Sequence, residues 1–187
     1  MNTTSARMPR RGLVVSLAAA TALGVLPVVA GASGASAAPY CGITWGSLAK
    51  TAAPMVAGPI TNVRAGRHDC YDRLVIDLKG KAPGYDVRYV TNVYTEGQGA
   101  LVPLRGGAKI RIVAKAPAYG TGAYKPANPK ELVNVTGYRT FRQVASAGSF
   151  EGQTTVGLGV RARLPFRAFT LTDATGSHLV IDVAHAW

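Results

Sequence analysis

The sequence predicts an all-β protein, an antiparallel β-sandwich, on three observations. Apolar side chains recur with a period of two along short segments, those segments are rich in Val, Ile, Thr and Tyr, and Gly, Pro, Asn or Asp punctuate the intervals between them. Composition permits a compact domain: 48% of the 187 residues are hydrophobic and 16% are charged. That is enough hydrocarbon to offset the entropy of ordering one domain, and it excludes a disordered tail or a collagen-like fibre.

The chain opens on a targeting pattern. Arg7, Arg10 and Arg11 precede an apolar run from Leu13 to Ala30, and Ala35-Ser36-Ala37 supplies the small residues a signal peptidase reads. Residues 1–37 are therefore expected to be a secretory signal peptide, with the Arg10-Arg11 pair leaving the general and twin-arginine routes both open. Removing them takes away three of the 21 basic residues and none of the 9 acidic ones, leaving 150 residues with a net charge of +9. No long apolar run follows, so no integral membrane segment is expected after cleavage. Residues 38–58 read as an N-terminal arm. Cys41 and Cys70 are the only cysteines of an exported chain, so they are expected to form a disulfide that holds this arm to the domain. A closed loop of roughly 30 residues stabilises by about 3–4 kcal/mol in the chain-entropy model. Trp45 to Ala57 carries Trp45, Leu48, Ala52 and Ala53 at helical spacing and is the one candidate helix, cut short by Pro54.

Strands fill the domain expected over 59–187. Arg73 to Leu78 places Leu74, Ile76 and Leu78 on one face and Arg73, Val75 and Asp77 on the other. Ile60–Arg64, Tyr85–Tyr94, Lys109–Val113, Leu132–Val135, Tyr138–Val144, Thr154–Leu164, Phe166–Leu171 and His178–Val183 are comparable segments. Turns are expected at 79–84, 97–99, Gly106-Gly107 and 173–176. Leu74-x-Ile76-x-Leu78 followed by Pro83 and Tyr85 is echoed by Val156-x-Leu158-x-Val160 followed by Pro165 and Phe166. Two related half-sheets facing each other would produce that echo, and so would period-two patterning alone.

Several of these segments carry a resemblance. Ile60-Thr61-Asn62-Val63-Arg64, Arg73 to Leu78, Gly84-Tyr85-Asp86-Val87, Phe150-Glu151-Gly152-Gln153-Thr154-Thr155, Leu164-Pro165-Phe166-Arg167 and Leu179 to Val183 resemble the AMIN-like domain of exported actinobacterial proteins. That family is akin to the AMIN domain, the targeting module of some N-acetylmuramoyl-L-alanine amidases. The resemblance spans Pro59 to Trp187 and implies a β-sandwich that attaches, without catalysis, to peptidoglycan or another envelope component. It brings no functional residues with it, and no catalytic domain is expected after the module.

Catalytic material is sparse. His68, His178 and His185 are the only histidines; His178 and Asp182 share a strand face, but four residues of rise place them about 13 Å apart, too far for one zinc. Solvated or capping histidines, and no metal or cofactor, are expected. Gly148-Ser149-Phe150-Glu151-Gly152 lacks the nucleophile-elbow pattern. Asp77 and Asp182 occupy matching strand positions and are expected to be outward carboxylates meeting Arg or Lys across the sheet.

Binding has better material. In Thr155 to Leu164 the alternation puts Val156, Leu158, Val160, Ala162 and Leu164 inward and Gly157, Gly159, Arg161 and Arg163 outward, a side-chain-free floor ending in two guanidinium groups. Carboxylates of peptidoglycan and phosphates of wall polymers are suitable anions. The structural alternative is that the glycines admit a neighbouring element of the chain itself. Tyr119 and Tyr124, in the Pro/Gly/Ala-rich stretch from Ala114 to Pro129, offer rings for a sugar or peptide, unless that long loop is disordered. No basic run or aromatic stripe points to nucleic acid. The leading expectation is a secreted, envelope-associated binding module whose partner is peptidoglycan or an anionic wall polymer; a small secreted wall hydrolase and a structural domain binding another envelope protein remain open.

Overall fold

The computed structural model describes residues 39–187; the signal peptide expected over 1–37 lies outside the described residues. Among the described residues, eleven strands and one short 3-10 turn, Tyr40–Gly42, make up the regular structure: β1 Lys50–Ala52, β2 Ile60–Arg67, β3 Tyr71–Leu78, β4 Tyr85–Val90, β5 Val93–Tyr94, β6 Leu101–Val102, β7 Ala108–Ala114, β8 Phe141–Phe150, β9 Gln153–Val160, β10 Phe166–Asp173 and β11 Gly176–Ala184. They form a five-stranded sheet in the order β1-β4-β7-β9-β8, a four-stranded sheet in the order β10-β11-β3-β2, and a two-stranded ribbon, β5-β6. Every pairing is antiparallel. The fold is therefore the all-β sandwich the period-two pattern predicts.

The pleat sorts the side chains. Leu74, Ile76 and Leu78 of β3, with Leu179, Ile181 and Val183 of β11, meet Ile110 and Ile112 of β7 and Val156, Leu158 and Val160 of β9 in one core, with Phe141 and Phe166 as its largest members. Tyrosines of β4 supply polar ties: Tyr85 donates to the Ala168 carbonyl of the facing sheet at 2.9 Å, and Tyr89 donates to the Leu164 carbonyl, in the segment that leads into β10, at 2.6 Å. The echoing segments Leu74–Leu78 and Val156–Val160 lie in different sheets.

Four expectations need correction. Trp45–Ala57 is not a helix: Gly46 bridges Phe166 and Lys50–Ala52 pairs with β4 as β1. Tertiary pairing overrides the helical spacing, because the free edge of β4 satisfies backbone groups that a helix ended by Pro54 would leave open. Leu132–Val135 is not a strand. It runs as a bent segment along β8, joined by Leu132 N–H to the Val144 carbonyl, and Asn134 turns the chain by accepting from Thr136 N–H. The strand expected at Tyr138–Val144 begins at Phe141 and continues to Phe150, through small residues without β-branching. The stretch Ala114–Pro129 is ordered by the sandwich: Ile60 N–H donates to Pro117, Tyr124 N–H to Ile60, and Thr154 Oγ1 to Ala116.

The β5-β6 ribbon explains the small residues of β8 and β9. It lies on the outer side of the five-stranded sheet, where Val93, Val102, Ala145 and Ala147 form a second small core with Val90 and Leu104 packed against it. Gly157 and Gly159 lie under this cover. A Cβ on Gly157 would stand 2.8 Å from Leu104 Cδ1, and one on Gly159 would stand 1.9 Å from the Arg105 carbonyl oxygen.

Cys41 and Cys70 form the expected disulfide, with Cα atoms 6.3 Å apart. Replacing both cysteines by Ser is expected to lower unfolding stability by about 3–4 kcal/mol, the loop-closure value, in a urea titration of the mature protein; no loss would show that the arm is held by its packing alone. Gly159→Ala is expected to destabilise by about 1–3 kcal/mol, the cost of overpacking, because backbone rather than a flexible side chain must give way. A wild-type urea midpoint for that variant would contradict the cover described here.

Candidate functional site

The Gly157–Arg163 floor is not open to a ligand. Both glycines are buried beneath Leu104 and Arg105, and β9 ends at Val160, so the alternation expected to reach Leu164 stops there. Arg161 and Arg163 follow in a bend with exposed side chains. They diverge in partners: Arg161 Nη2 donates to the His185 carbonyl at 2.6 Å, whereas the Arg163 guanidinium lies 4.6 Å from the centre of the Tyr89 ring and reaches the Ser47 carbonyl. Arg163, Tyr89 and Lys109 line one groove of about 560 Å³ with the backbone of Thr91 and Gly107. Of the predicted floor, Arg163 alone lines that groove.

Tyr124 is no exposed platform, since its ring packs against the core and its hydroxyl donates to the Leu132 carbonyl. Tyr119 keeps an exposed ring, with its hydroxyl accepting from Gly152 N–H at 2.9 Å.

The strongest concentration of charge and aromatic surface is on the outer face of the four-stranded sheet. Register brings Arg73 of β3 and Arg167 of β10 opposite Asp182 of β11 from either side. Arg73 donates through Nε and Nη2 to the two carboxylate oxygens at 2.7 and 2.9 Å, and Arg167 donates through Nε at 2.7 Å. Asp182 thus meets arginines across the sheet as expected, but it is wholly buried instead of facing solvent. Its hydrogen bonds hold the Arg73 guanidinium above its ordinary pKa.

Aromatic rings wall this pair. The Arg167 guanidinium carbon is 5.5, 5.4 and 5.1 Å from the ring centres of Trp45, Tyr71 and Phe169, and that of Arg73 is 5.2 and 5.8 Å from Tyr71 and Phe169. Trp45 meets Tyr71 edge to face at 5.9 Å, and His68 stacks on the Tyr71 ring at 4.5 Å. Trp45 comes from the arm, and Cys70, adjacent to Tyr71, anchors that arm through the disulfide. Two residues beyond Trp45, the Ser47 carbonyl receives Arg163, so the arm links the ladder to the Tyr89–Lys109–Arg163 groove. Two guanidinium groups against one carboxylate leave a surplus positive charge, and the Nη1 atoms of both point to no protein acceptor among the described residues.

His68 is exposed, but His178 and His185 are not solvated. His178, 11% exposed at its side chain, places Nδ1 2.6 Å from Asp77 and Nε2 3.0 Å from Asp173. The Asp77 bond first, and the Asp173 bond with it, raise its pKa above the ordinary 6.5 against desolvation. Desolvation works to raise Asp77, yet the bonds from Arg64 and His178 outweigh it and its pKa is lowered. Asp173 is held at about 2, first by the Thr175 hydroxyl and N–H and then by His178. His185 is also buried: Nε2 donates to the His68 carbonyl at 3.0 Å, and Nδ1 is 2.9 Å from Thr140 Oγ1. Asp72 lies alongside, accepting from Thr140 and Phe141 N–H, with its Oδ1 3.9 Å from His185 Nε2. This Thr140–His185–Asp72 group has the residue types of a hydrolytic triad but no surface access, since all three are buried. Among the described residues, no group of three or more His, Cys, Asp or Glu is placed to hold a metal.

Sequence reasoning missed Trp45, Tyr71, Phe169, Arg73 and Arg167 as a set because they come from three separate segments, the arm, β3 and β10. The signal available was weak: Arg73 and Arg167 each sit on a strand position whose in-register neighbour had to be known first.

Residues 58–185 match the AMIN-like domain family. A β-sandwich of antiparallel sheets with that match places the chain in a class of module, and the chain belongs to the AMIN-like domain family. No curated protein and no solved structure matches it.

The His178 network sets a pH dependence with a definite sign. The stability that His178 contributes through its raised pKa is fully present below 6.5 and is lost as pH rises through the folded-state value; that of Asp77 and Asp173 is present above 3.8 and is lost as pH falls, through about 2 for Asp173. The melting temperature is expected to decline on the alkaline side of 6.5 in the wild type, and His178→Gln is expected to flatten that decline. An equal alkaline slope in both proteins would remove His178 as its cause.

Proposed function

We propose that this chain is a non-catalytic module that works outside the cytoplasm and attaches to the anionic polymer of the cell envelope, peptidoglycan or a wall polymer. The observation that carries the reading is the Asp182-anchored pair Arg73 and Arg167, set among Trp45, Tyr71 and Phe169 on paired strands. A planar guanidinium with a free Nη1 edge suits a carboxylate or phosphate, and flanking rings suit the apolar face of a sugar. The buried carboxylate fixes both guanidinium groups in advance, so little side-chain entropy remains to be lost on binding. Arg163 and Lys109 extend the cationic surface across the arm. Membership of the AMIN-like family, the net charge of +9 after residue 37 and the disulfide all agree with an exported binding module.

Mature protein is expected to co-sediment with purified sacculi at low ionic strength and to be released by salt. Arg167→Gln, which leaves Asp182 paired with Arg73, is expected to weaken retention by about tenfold, the reach of one charged hydrogen bond, and to make the salt dependence shallower. Arg163→Gln is expected to act in the same direction. A wild type that stays in the supernatant at low salt would defeat the envelope reading; sedimentation unaffected by either substitution would defeat this surface as its cause.

A further inference from the structure

The outer side of the five-stranded sheet carries a groove of different chemistry. It opens between the β5-β6 ribbon and β8, has a volume of about 550 Å³, and is floored by Leu101, Val102, Leu104 and Ala145 with Lys130 at the rim. That volume is within the range of small-molecule sites, and the lining is mainly hydrocarbon. Leu101 is 56% exposed, although a ribbon that served only to cover Gly157 and Gly159 would gain nothing from an outward leucine.

Hydrogen bonding along the groove narrows what it can receive. The Gln143 amide is used at both ends, accepting from Arg105 N–H at 2.8 Å and donating to the Lys130 carbonyl at 2.9 Å. The outer edge of β8 is already joined to the preceding segment, by Leu132 N–H to Val144 and Ser146 N–H to Pro129. A peptide adding as a further strand would find those backbone groups taken. Glu131, the carboxylate next along the chain, is held by Arg105 through two contacts, so the Lys130 ammonium has no carboxylate partner among the described residues. The floor therefore offers hydrocarbon contact and the rim offers one free cation.

We propose that this groove is a binding site for a single-chain amphiphile with an aliphatic body and an anionic end, the chain lying on Leu101, Leu104 and Ala145 and the head group meeting Lys130. The site is separate from the guanidinium ladder, which lies on the other sheet, and stands or falls without it.

The test is calorimetry and amide chemical-shift mapping of the mature disulfide-bonded protein with three probes below their micelle concentrations: decanoate, decyl phosphate and uncharged decyl maltoside. All three are expected to bind and to shift Leu101, Leu104 and Ala145. Leu101→Asp is expected to weaken every probe tenfold or more, consistent with loss of one buried leucine contact; at so exposed a position it should leave the circular dichroism spectrum unchanged. Lys130→Ala is expected to weaken decanoate or decyl phosphate by about three- to fivefold, the range of one exposed ion pair, and to leave decyl maltoside unaltered. The head group that responds more strongly to Lys130→Ala identifies carboxylate or phosphate as the natural end. Absence of binding by the wild type, or binding indifferent to Leu101→Asp, overturns the site. Equal loss of charged and uncharged probes in Lys130→Ala overturns the anionic end.

Discussion

A carboxylate with no solvent exposure on the outside of a sheet is the constraint around which one face of this protein is arranged. Asp182 belongs to β11, the strand whose alternate residues Leu179, Ile181 and Val183 build the core. Its own side of the pleat would ordinarily face water. It is buried because Arg73 and Arg167 close over it from the two flanking strands, and these in turn are covered by Tyr71, Phe169 and Trp45. Removing either arginine leaves a buried charge half compensated, which is costly; removing the carboxylate leaves two cations facing each other. The arm is a consequence of the same arrangement. Trp45 has a stacking position only because Tyr71 and Arg167 are held where they are, and the disulfide to Cys70 keeps it there.

The two outer faces solve the same problem differently. A sheet in a two-layer sandwich has one face with no partner layer. The four-stranded sheet fills its outer face with long charged and aromatic side chains whose ends bond one another, from Arg64–Asp77–His178–Asp173 at one end to Arg73–Asp182–Arg167 at the other. The five-stranded sheet instead empties its outer face of side chains at Gly157, Gly159, Ala145 and Ala147 and lays a ribbon across it. One solution leaves donors pointing outward from a fixed frame. The other leaves hydrocarbon beside a groove.

Much of the fold was legible in the sequence. Period-two alternation is a direct image of the pleat, so β2, β3, β7, β10 and β11 could be placed within a few residues, and the inward residues expected in β3, Leu74, Ile76 and Leu78, are buried as expected. The failures have physical causes. Trp45–Ala57 has helical spacing, but its state is decided by β4, a partner more than 30 residues downstream, whose edge it pairs with. The second half of β8, Ala145 to Phe150, lacks branched side chains because a ribbon packs on it, and what selects small residues there is a contact distant in sequence. Gly157 and Gly159 were correctly read as a place of close approach, but the approaching atoms are those of Arg105 and Leu104. The ladder was illegible for a related reason: Arg73 and Arg167 become a pair only once β11 is known to lie between β3 and β10.

Burial also decides what the Thr140–His185–Asp72 group can do. A hydroxyl close to an imidazole, with a carboxylate on the far side, is the order of groups that acyl transfer uses. Nucleophilic attack further requires a space, about 3 Å from the hydroxyl and from donors for the developing oxyanion, where a carbonyl carbon can sit. Thr140 Oγ1 is enclosed by its own contacts, the Ala184 carbonyl at 3.2 Å and His185 Nδ1, and the Asp72 carboxylate is occupied by the N–H groups of Thr140 and Phe141. These bonds tie the start of β3 and the end of β11 to the start of β8, and so join the two sheets at one end of the sandwich. The same residue types that would perform chemistry at the bottom of a cleft act here as a cross-brace. What the protein leaves accessible is the other kind of polar group, guanidinium edges already fixed in position, and such groups are suited to holding an anion in place.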